Sequence, residues 1–387
     1  MKQVTPQRAA DLGERLKVAR IAAGRTQEEV AERIGVTRTT VVAMESGSRA
    51  VRDAELVAWA SFLGVGVNEL VHRQLTVDFG PQFRRATKKG AAVGSDPMVA
   101  EVSSLLQRLA SNYVQLEEQL GRPLRYDYPP EVRIHRGSVV EQADDLAVDL
   151  RSRLGLGLRP IPDLISTAEN ELTIRVFERR LPSPIAGAFA FSERVGACVL
   201  LNLRHPRARR VWTLAHELGH FMSSRSTAEI LFADPARSEL EPFADAFAAS
   251  LLLPAGAVRR RFDDAVERDG KLSARSLVYL ARSFHVSLEA MARRLEKLTL
   301  LKRGTYEALR DRGLSAEKMT SVLGAEDPGH EIALPAPERF NMLVAEAFEK
   351  ELLSEGQAAA TLALDRVAVR ELLDVLGGED GLAVGHG

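Results

Sequence analysis

The sequence is poor in cysteine, in net charge and in long apolar runs, and each shortage excludes something. A single cysteine, Cys198, stands among 387 residues. No intramolecular disulfide can form and no cysteine-based zinc site can be built, which fits a reducing cytoplasm. Its neighbours, GACVLLNL, make an apolar strand-like run, so the thiol reads as buried and inert. The formal net charge of -1 excludes a polycation, so any contact with nucleic acid must be local. The opening MKQVTPQRAADLGERL lacks the apolar stretch of a signal peptide. The longest apolar run, AFAASLLLPAGAV at 246–258, is too short to span a bilayer and contains a proline. No membrane partner is expected, and the location expected is cytoplasmic.

What is present is a composition fit for packed cores, 45% hydrophobic and 27% charged, in a chain long enough for two or three domains. Residues 8–72 read as short helices with apolar stripes at Leu12, Leu16 and Ala19, at Val30, Ala31 and Ile34, at Val41, Val42 and Met44, and at Leu56, Trp59, Ala60 and Leu63. Gly24, Gly35, Gly47 and Gly64 punctuate them. Residues 76–97 break the pattern with Gly, Pro and four close basic residues, Arg84, Arg85, Lys88 and Lys89, which read as a solvated linker or a DNA-contacting arm. A helix follows at roughly 98–120, and then a loop.

From 139 the texture is α+β: a helix at 139–155, a strand at 172–177, a hairpin over 186–203, and a helix containing VWTLAHELGHFM at 211–222. A loop with Pro235 leads to a helix at 241–252, and 257–376 is largely helical. The stretches 276–295 and 357–373 both have a helix-turn-helix rhythm, and both read as helical buttresses ahead of a second DNA reader.

On a 3.6-residue helix, Val211, Leu214, Ala215, Leu218 and Met222 form one stripe. His216 and His220, four apart, place their rings on one face, where two imidazoles can reach one Zn²⁺. Glu217 borders that face and is placed to take a proton rather than to bind metal. A catalytic zinc needs a third protein ligand. Glu241 supplies one, with Asp245 four residues on to orient a histidine N–H. Glu239 and Asp234 are rivals. Pro242 puts Glu241 at the start of its helix rather than inside it. His205 reads as a surface residue, and His285 as structural.

In TQEEVAERIGVTRTTVVAMESG, Thr26 and Thr37 read as N-caps on either side of a turn at Gly35. The second helix would enter a major groove, with Thr37, Arg38, Thr39 and Val42 toward the bases and Gln27 and Arg49 near phosphates. Residues 1–75 carry 11 Lys/Arg against 9 Asp/Glu.

Two resemblances follow. RRVWTLAHELGHFM, SELEPFADAFAASLLLP and the ADDLAVDLRSRLGLGLRPIPDLISTAENELTIRVF run before them resemble the ImmA/IrrE family of zinc metallopeptidases over about 139–300. The resemblance implies His216, His220 and Glu241 as zinc ligands and Glu217 as catalytic base. It also implies a protein substrate of the helix-turn-helix repressor kind, in stress or mobile-element control. LGERLKVAR, TQEEVAERIGVT, MESGSR and LGVGVNEL resemble the XRE family of phage-repressor-like domains, which implies operator DNA as partner and a homodimer on a palindrome.

The architecture expected is multidomain: an all-α helix-turn-helix domain at 1–75 and a basic linker plus helix at 76–138. An α+β zincin-like metallopeptidase domain with a small sheet follows at 139–300, and a helical C-terminal region at 301–387. The function expected is a DNA-binding transcriptional regulator that is also a zinc endopeptidase, cutting a repressor or itself. The alternative is a non-proteolytic XRE-type transcription factor or antitoxin whose peptidase-like domain senses or assembles.

Overall fold

The computed structural model describes residues 6–64, 67, 70, 97–225, 229–232, 241–312 and 337–377, and the chain divides into two compact units, 1–76 and 77–387. Among the described residues no helix is long and apolar enough to cross a membrane. The expected basic residues Arg84, Arg85, Lys88 and Lys89 lie outside the described residues.

The first unit is four helices, α1 (Pro6–Ala22), α2 (Gln27–Ile34), α3 (Arg38–Glu45) and α4 (Asp53–Leu63). Thr26 and Glu29 form a reciprocal capping box that starts α2. Gly35, at φ 72, ends it in the left-handed region that a side chain disfavours. Two residues later the Thr37 hydroxyl accepts from Thr40 N and starts α3. Leu16, Val30, Ala31, Val41, Met44, Leu56, Trp59 and Ala60 close the core.

The second unit is built on a four-stranded sheet in the order β1-β3-β2-β4. The strands are β1 (Arg175–Arg179), β2 (Ile185–Ser192), β3 (Gly196–Asn202) and β4 (Glu229–Phe232). β1 and β3 are parallel, and the other pairs antiparallel. The expected hairpin is β2–β3. Expected loop between the two motif helices contains β4, whose four residues are too few to show a period of two.

Before the sheet come α5 (Pro97–Gln119), α6 (Val139–Arg153) and α7 (Leu164–Asn170). After β3 comes α8 (Arg207–Ser223), and after β4 come α9 (Glu241–Leu252), α10 (Ala255–Asp269), α11 (Ala274–Ser283), α12 (Leu288–Lys297) and α13 (Thr305–Asp311). The last three are α14 (Glu338–Glu349), α15 (Glu355–Leu362) and α16 (Arg366–Gly377).

β1 and β3 are buried along their whole length because helices cover both faces. On one face Val176, Phe189, Val199 and Leu201 join Leu214, Leu218 and Phe221 of α8 and Phe243 and Phe247 of α9 in the main core. On the other, Tyr113 of α5 lies edge-on to Phe177 at 6.3 Å and stacks on Phe340 of α14 at 4.6 Å. Nine residues of α5 are buried, so this helix is part of the second unit's core rather than a free tether. Buried Glu117 binds both Arg175 and Arg339, and Arg179 donates to Leu362 O at 2.7 Å. The Glu169 carboxylate accepts the first amides of α14, from Glu338 and Arg339, both at 3.1 Å.

Candidate metal centre

Helix α8 starts after Pro206 and carries its histidines in its C-terminal half, with His220 in the last turn, and α9 starts at Glu241 with Pro242 in the first turn, where the missing N–H costs nothing. The two helices touch at Gly219. A Cβ there would lie 2.9 Å from Ala244 Cα and 3.3 Å from the Phe247 ring. The absent side chain lets α9 close down on α8 and brings Glu241 to the histidines.

Three donors converge. His216 Nε2 lies 3.0 Å from His220 Nε2 and 3.2 Å from Glu241 Oε2, and His220 Nε2 lies 3.8 Å from Glu241 Oε1. Bonds of about 2.0–2.1 Å in a tetrahedron put neighbouring ligand atoms about 3.4 Å apart, so these separations bracket what zinc requires. All three residues are buried, and together they form a group that could hold a metal ion. The donor set, two imidazoles and a carboxylate, suits zinc.

Asp245 accepts from His216 Nδ1 at 3.0 Å. That contact fixes the proton on Nδ1 and leaves the Nε2 lone pair turned toward His220 and Glu241. Burial opposes a charge on His216, but hydrogen bonds to Asp245 and Glu241 outweigh it and raise its pKa. Burial and the neighbouring charge of His216 lower that of His220. A metal would compete with protons for these lone pairs. Glu217 is wholly buried beside them, near enough for its charge to favour protonated His216. Glu239 and Asp234 lie outside the described residues.

The exit of α8 is held by residues that the sequence showed only as loop. Met222 O accepts from Val132 N at 2.8 Å, and Arg225 donates to Pro129 O while its guanidinium lies 4.4 Å over the Phe221 ring. No local pattern signals such contacts, since their partners are some ninety residues apart. Cys198 is fully buried, and desolvation pushes its pKa up to about 12. His205 is half-buried, and its ring Nε2 lies 3.4 Å from Ser183 O. His285 is exposed, at φ 56 in the turn after α11.

In the first unit, Arg38, Thr39 and Val42 are exposed on α3, with Val42 44% accessible. Thr37 caps α3, and its hydroxyl also pairs with those of Thr39 and Thr40. Gln27 Nε2 donates to buried Glu45 at 2.8 Å, alongside Arg20, and Arg49 forms a two-pronged pair with Glu55. Both residues brace the domain internally. Glu55 is held down to about 2 by Arg49, against desolvation, with help from Arg52.

A domain of short helices around a helix-turn-helix, joined to a sheet whose long helix carries HExxH, defines a regulator-type module fused to a metallopeptidase-like one. The comparisons agree. Residues 16–70 match the helix-turn-helix family model and residues 169–296 match that of the IrrE N-terminal-like domain, peptidase family M78. The chain therefore joins an XRE-type helix-turn-helix domain to an IrrE-like domain. No curated protein matches. Among solved structures, Bacillus thuringiensis PlcR, in complex with the peptide PapR7 and DNA, aligns at 12% identity over 95% of this chain and 96% of its own, with a TM-score of 0.19. ComR from Streptococcus suis aligns at 11% over 96% and 94%, with a TM-score of 0.16. At those TM-scores neither bears on the fold.

Proposed function

We propose that this chain is a DNA-binding transcriptional regulator with a zinc-dependent endopeptidase domain that cuts a helix-turn-helix repressor or the chain itself. The observation that carries the reading is the convergence of His216, His220 and Glu241, with Asp245 on the outer nitrogen of His216 and Glu217 alongside. The same chain exposes Arg38, Thr39 and Val42 on a helix-turn-helix.

His216, His220 and Glu241 would hold the metal, which supplies Lewis acidity to the scissile carbonyl. Asp245 keeps His216 in the binding tautomer. Glu217 takes a proton from the attacking water on its carboxylate and passes it to the leaving amine. On DNA, α3 lies in the major groove. Arg38 reads guanine, Thr39 and Val42 meet thymine methyls, and Thr37 stands at the helix start. Gln27 and Arg49, spent on Glu45 and Glu55, position the reading helix and reach phosphate only with their remaining polar atoms. The operator contact is that of a homodimer on a palindrome.

The test is to incubate zinc-loaded protein with purified XRE-type repressors and follow all species by intact mass. Cleavage by the wild type and none by Glu217→Gln is expected. Intact repressors and intact chain throughout would overturn the peptidase reading.

One observation favours a second reading. Glu217 has no exposed surface, so water and peptide need an opening to reach it. In that reading the domain holds zinc without turnover and acts as a sensor or assembly platform of a transcription factor or antitoxin. Metal binding without cleavage would support it.

A further inference from the structure

Helices α15 and α16 repeat the architecture of the reading motif α2–α3, position by position, at a constant offset of 328 residues. α2 and α15 each have eight residues and begin with a reciprocal capping box, Thr26 with Glu29 and Ser354 with Gln357. Each ends on a left-handed residue, Gly35 at φ 72 and Ala363 at φ 52. An apolar residue follows, Val36 or Leu364, and then the residue that caps the next helix. Thr37 accepts from Thr40 N and Asp365 from Ala368 N. Val30, Ala31, Val41 and Met44 are buried, and so are their counterparts Ala358, Ala359, Val369 and Leu372. Backbone and core are those of a helix-turn-helix in both places.

The positions that face DNA in the first motif, Arg38, Thr39 and Val42, correspond to Arg366, Val367 and Arg370. All three are exposed, Val367 at 64%. Arg370 lies against Glu355, on the opening turn of α15, at 2.9 Å, and the Arg366 guanidinium passes beside Gly356, where a Cβ would meet it at 3.3 Å. Both guanidiniums therefore line the seam between the two helices, the side on which a helix-turn-helix meets the DNA backbone. The acidic residues Glu371 and Asp374 fall at the positions of Ala43 and Ser46, away from the reading positions. Residues 26–47 and 354–375 each hold two arginines against four acids, so charge argues no more against the second motif than against the first.

The turn between α11 and α12 makes the contrast. It has the same left-handed residue, His285, and the same cap, Ser287. Its counterparts of Arg38 and Val42 are Leu288 and Ala292, both buried in the main core. That pair is a buttress. α16 instead packs through Val369 and Leu372 and leaves its other face open.

We propose that α15 and α16 form a second DNA-reading element, with Val367 meeting the bases of the major groove and Arg366 and Arg370 the adjoining phosphates of duplex DNA. It extends the DNA reading assigned to α3 and is separable from it. The full-length chain is used to select bound duplexes from a random-sequence library, and affinity and salt dependence are measured on the enriched duplex. Arg366→Ala with Arg370→Ala is expected to weaken binding about tenfold or more and to flatten the slope of log K against log salt by about 2. Val367→Gln, which exchanges an apolar contact suited to a thymine methyl for an amide suited to adenine, is expected to change the enriched base at one position without a comparable loss of affinity. A chain with Arg38→Ala that still enriches a sequence through α16 separates the two readers. Unchanged affinity, slope and enriched sequence in the α16 variants would overturn the proposal and leave this face to a protein partner. Failure of the wild type to enrich any duplex would overturn it together with the reading of α3.

Discussion

At His216 one contact sets the chemistry. Its Nδ1 proton is held by Asp245, so the opposite nitrogen is the donor that turns inward. Asp245→Ala should weaken zinc binding by about 10- to 100-fold, measured by competition with a chelator of known affinity. A variant that binds zinc as tightly as the wild type would remove Asp245 from this role. Glu217→Gln should keep the metal and lose cleavage by about 10²- to 10⁴-fold, the span of a general acid–base group. Retained cleavage would place the base elsewhere. The histidine pair was readable because helical geometry is local: residues four apart share a face. Glu241 was readable through Asp245, again four apart. The positions of Gln27 and Arg49 were not, because their partners Glu45 and Glu55 sit 18 and 6 residues away and only tertiary packing brings them in.

At the scale of elements, the centre depends on how closely α8 and α9 approach. Gly219→Ala places a methyl 2.9 Å from the backbone of Ala244. Overpacking of this kind costs about 1–3 kcal/mol, and the helices would part where Glu241 must meet the histidines. A lower thermal midpoint together with a lower zinc content is expected. A drop in stability with full zinc content would show that the helix contact does not set the site.

Glu169 grips the start of α14 through the amides of Glu338 and Arg339. Burial pushes the Glu169 pKa up from 4.5 to about 7, against the pull of the two α14 amides. A carboxyl whose folded pKa is raised favours folding most below about 4.5, and that contribution is lost as pH rises through about 7. Wild type should therefore lose up to roughly 3 kcal/mol relative to Glu169→Gln between those limits. Denaturant unfolding at several pH values measures it, and a difference that stays flat with pH would contradict it. Helices with strong periodicity and the β2–β3 hairpin were legible in the sequence. β4 was not, since its strand identity comes from pairing with β2.

For the whole molecule, the boundary between units lies near residue 76, and α5 belongs with the sheet. This narrows where self-cleavage could occur. A peptidase needs an extended substrate, and a helix with nine buried residues would have to leave the core first. If the chain cuts itself, intact mass should place the cut outside 97–119, and a cut within that helix would contradict this picture of the unit. The first unit and the HExxH helix α8 were both legible because each is written in a contiguous motif. The cover that α5, α14 and α15 give the far face of the sheet was not, because it is assembled from contacts such as Asn112 with Thr361, 249 residues apart.

The claim on which the rest depends is that His216, His220 and Glu241 form one zinc site. The most direct test is the zinc content of the full-length chain after dialysis against metal-free buffer, beside His216→Ala and Glu241→Ala. One zinc per chain in the wild type, with loss in both variants while the helical circular dichroism is kept, is the predicted result. Zinc-free wild type, or a Glu241→Ala chain that still holds a full equivalent, would contradict it.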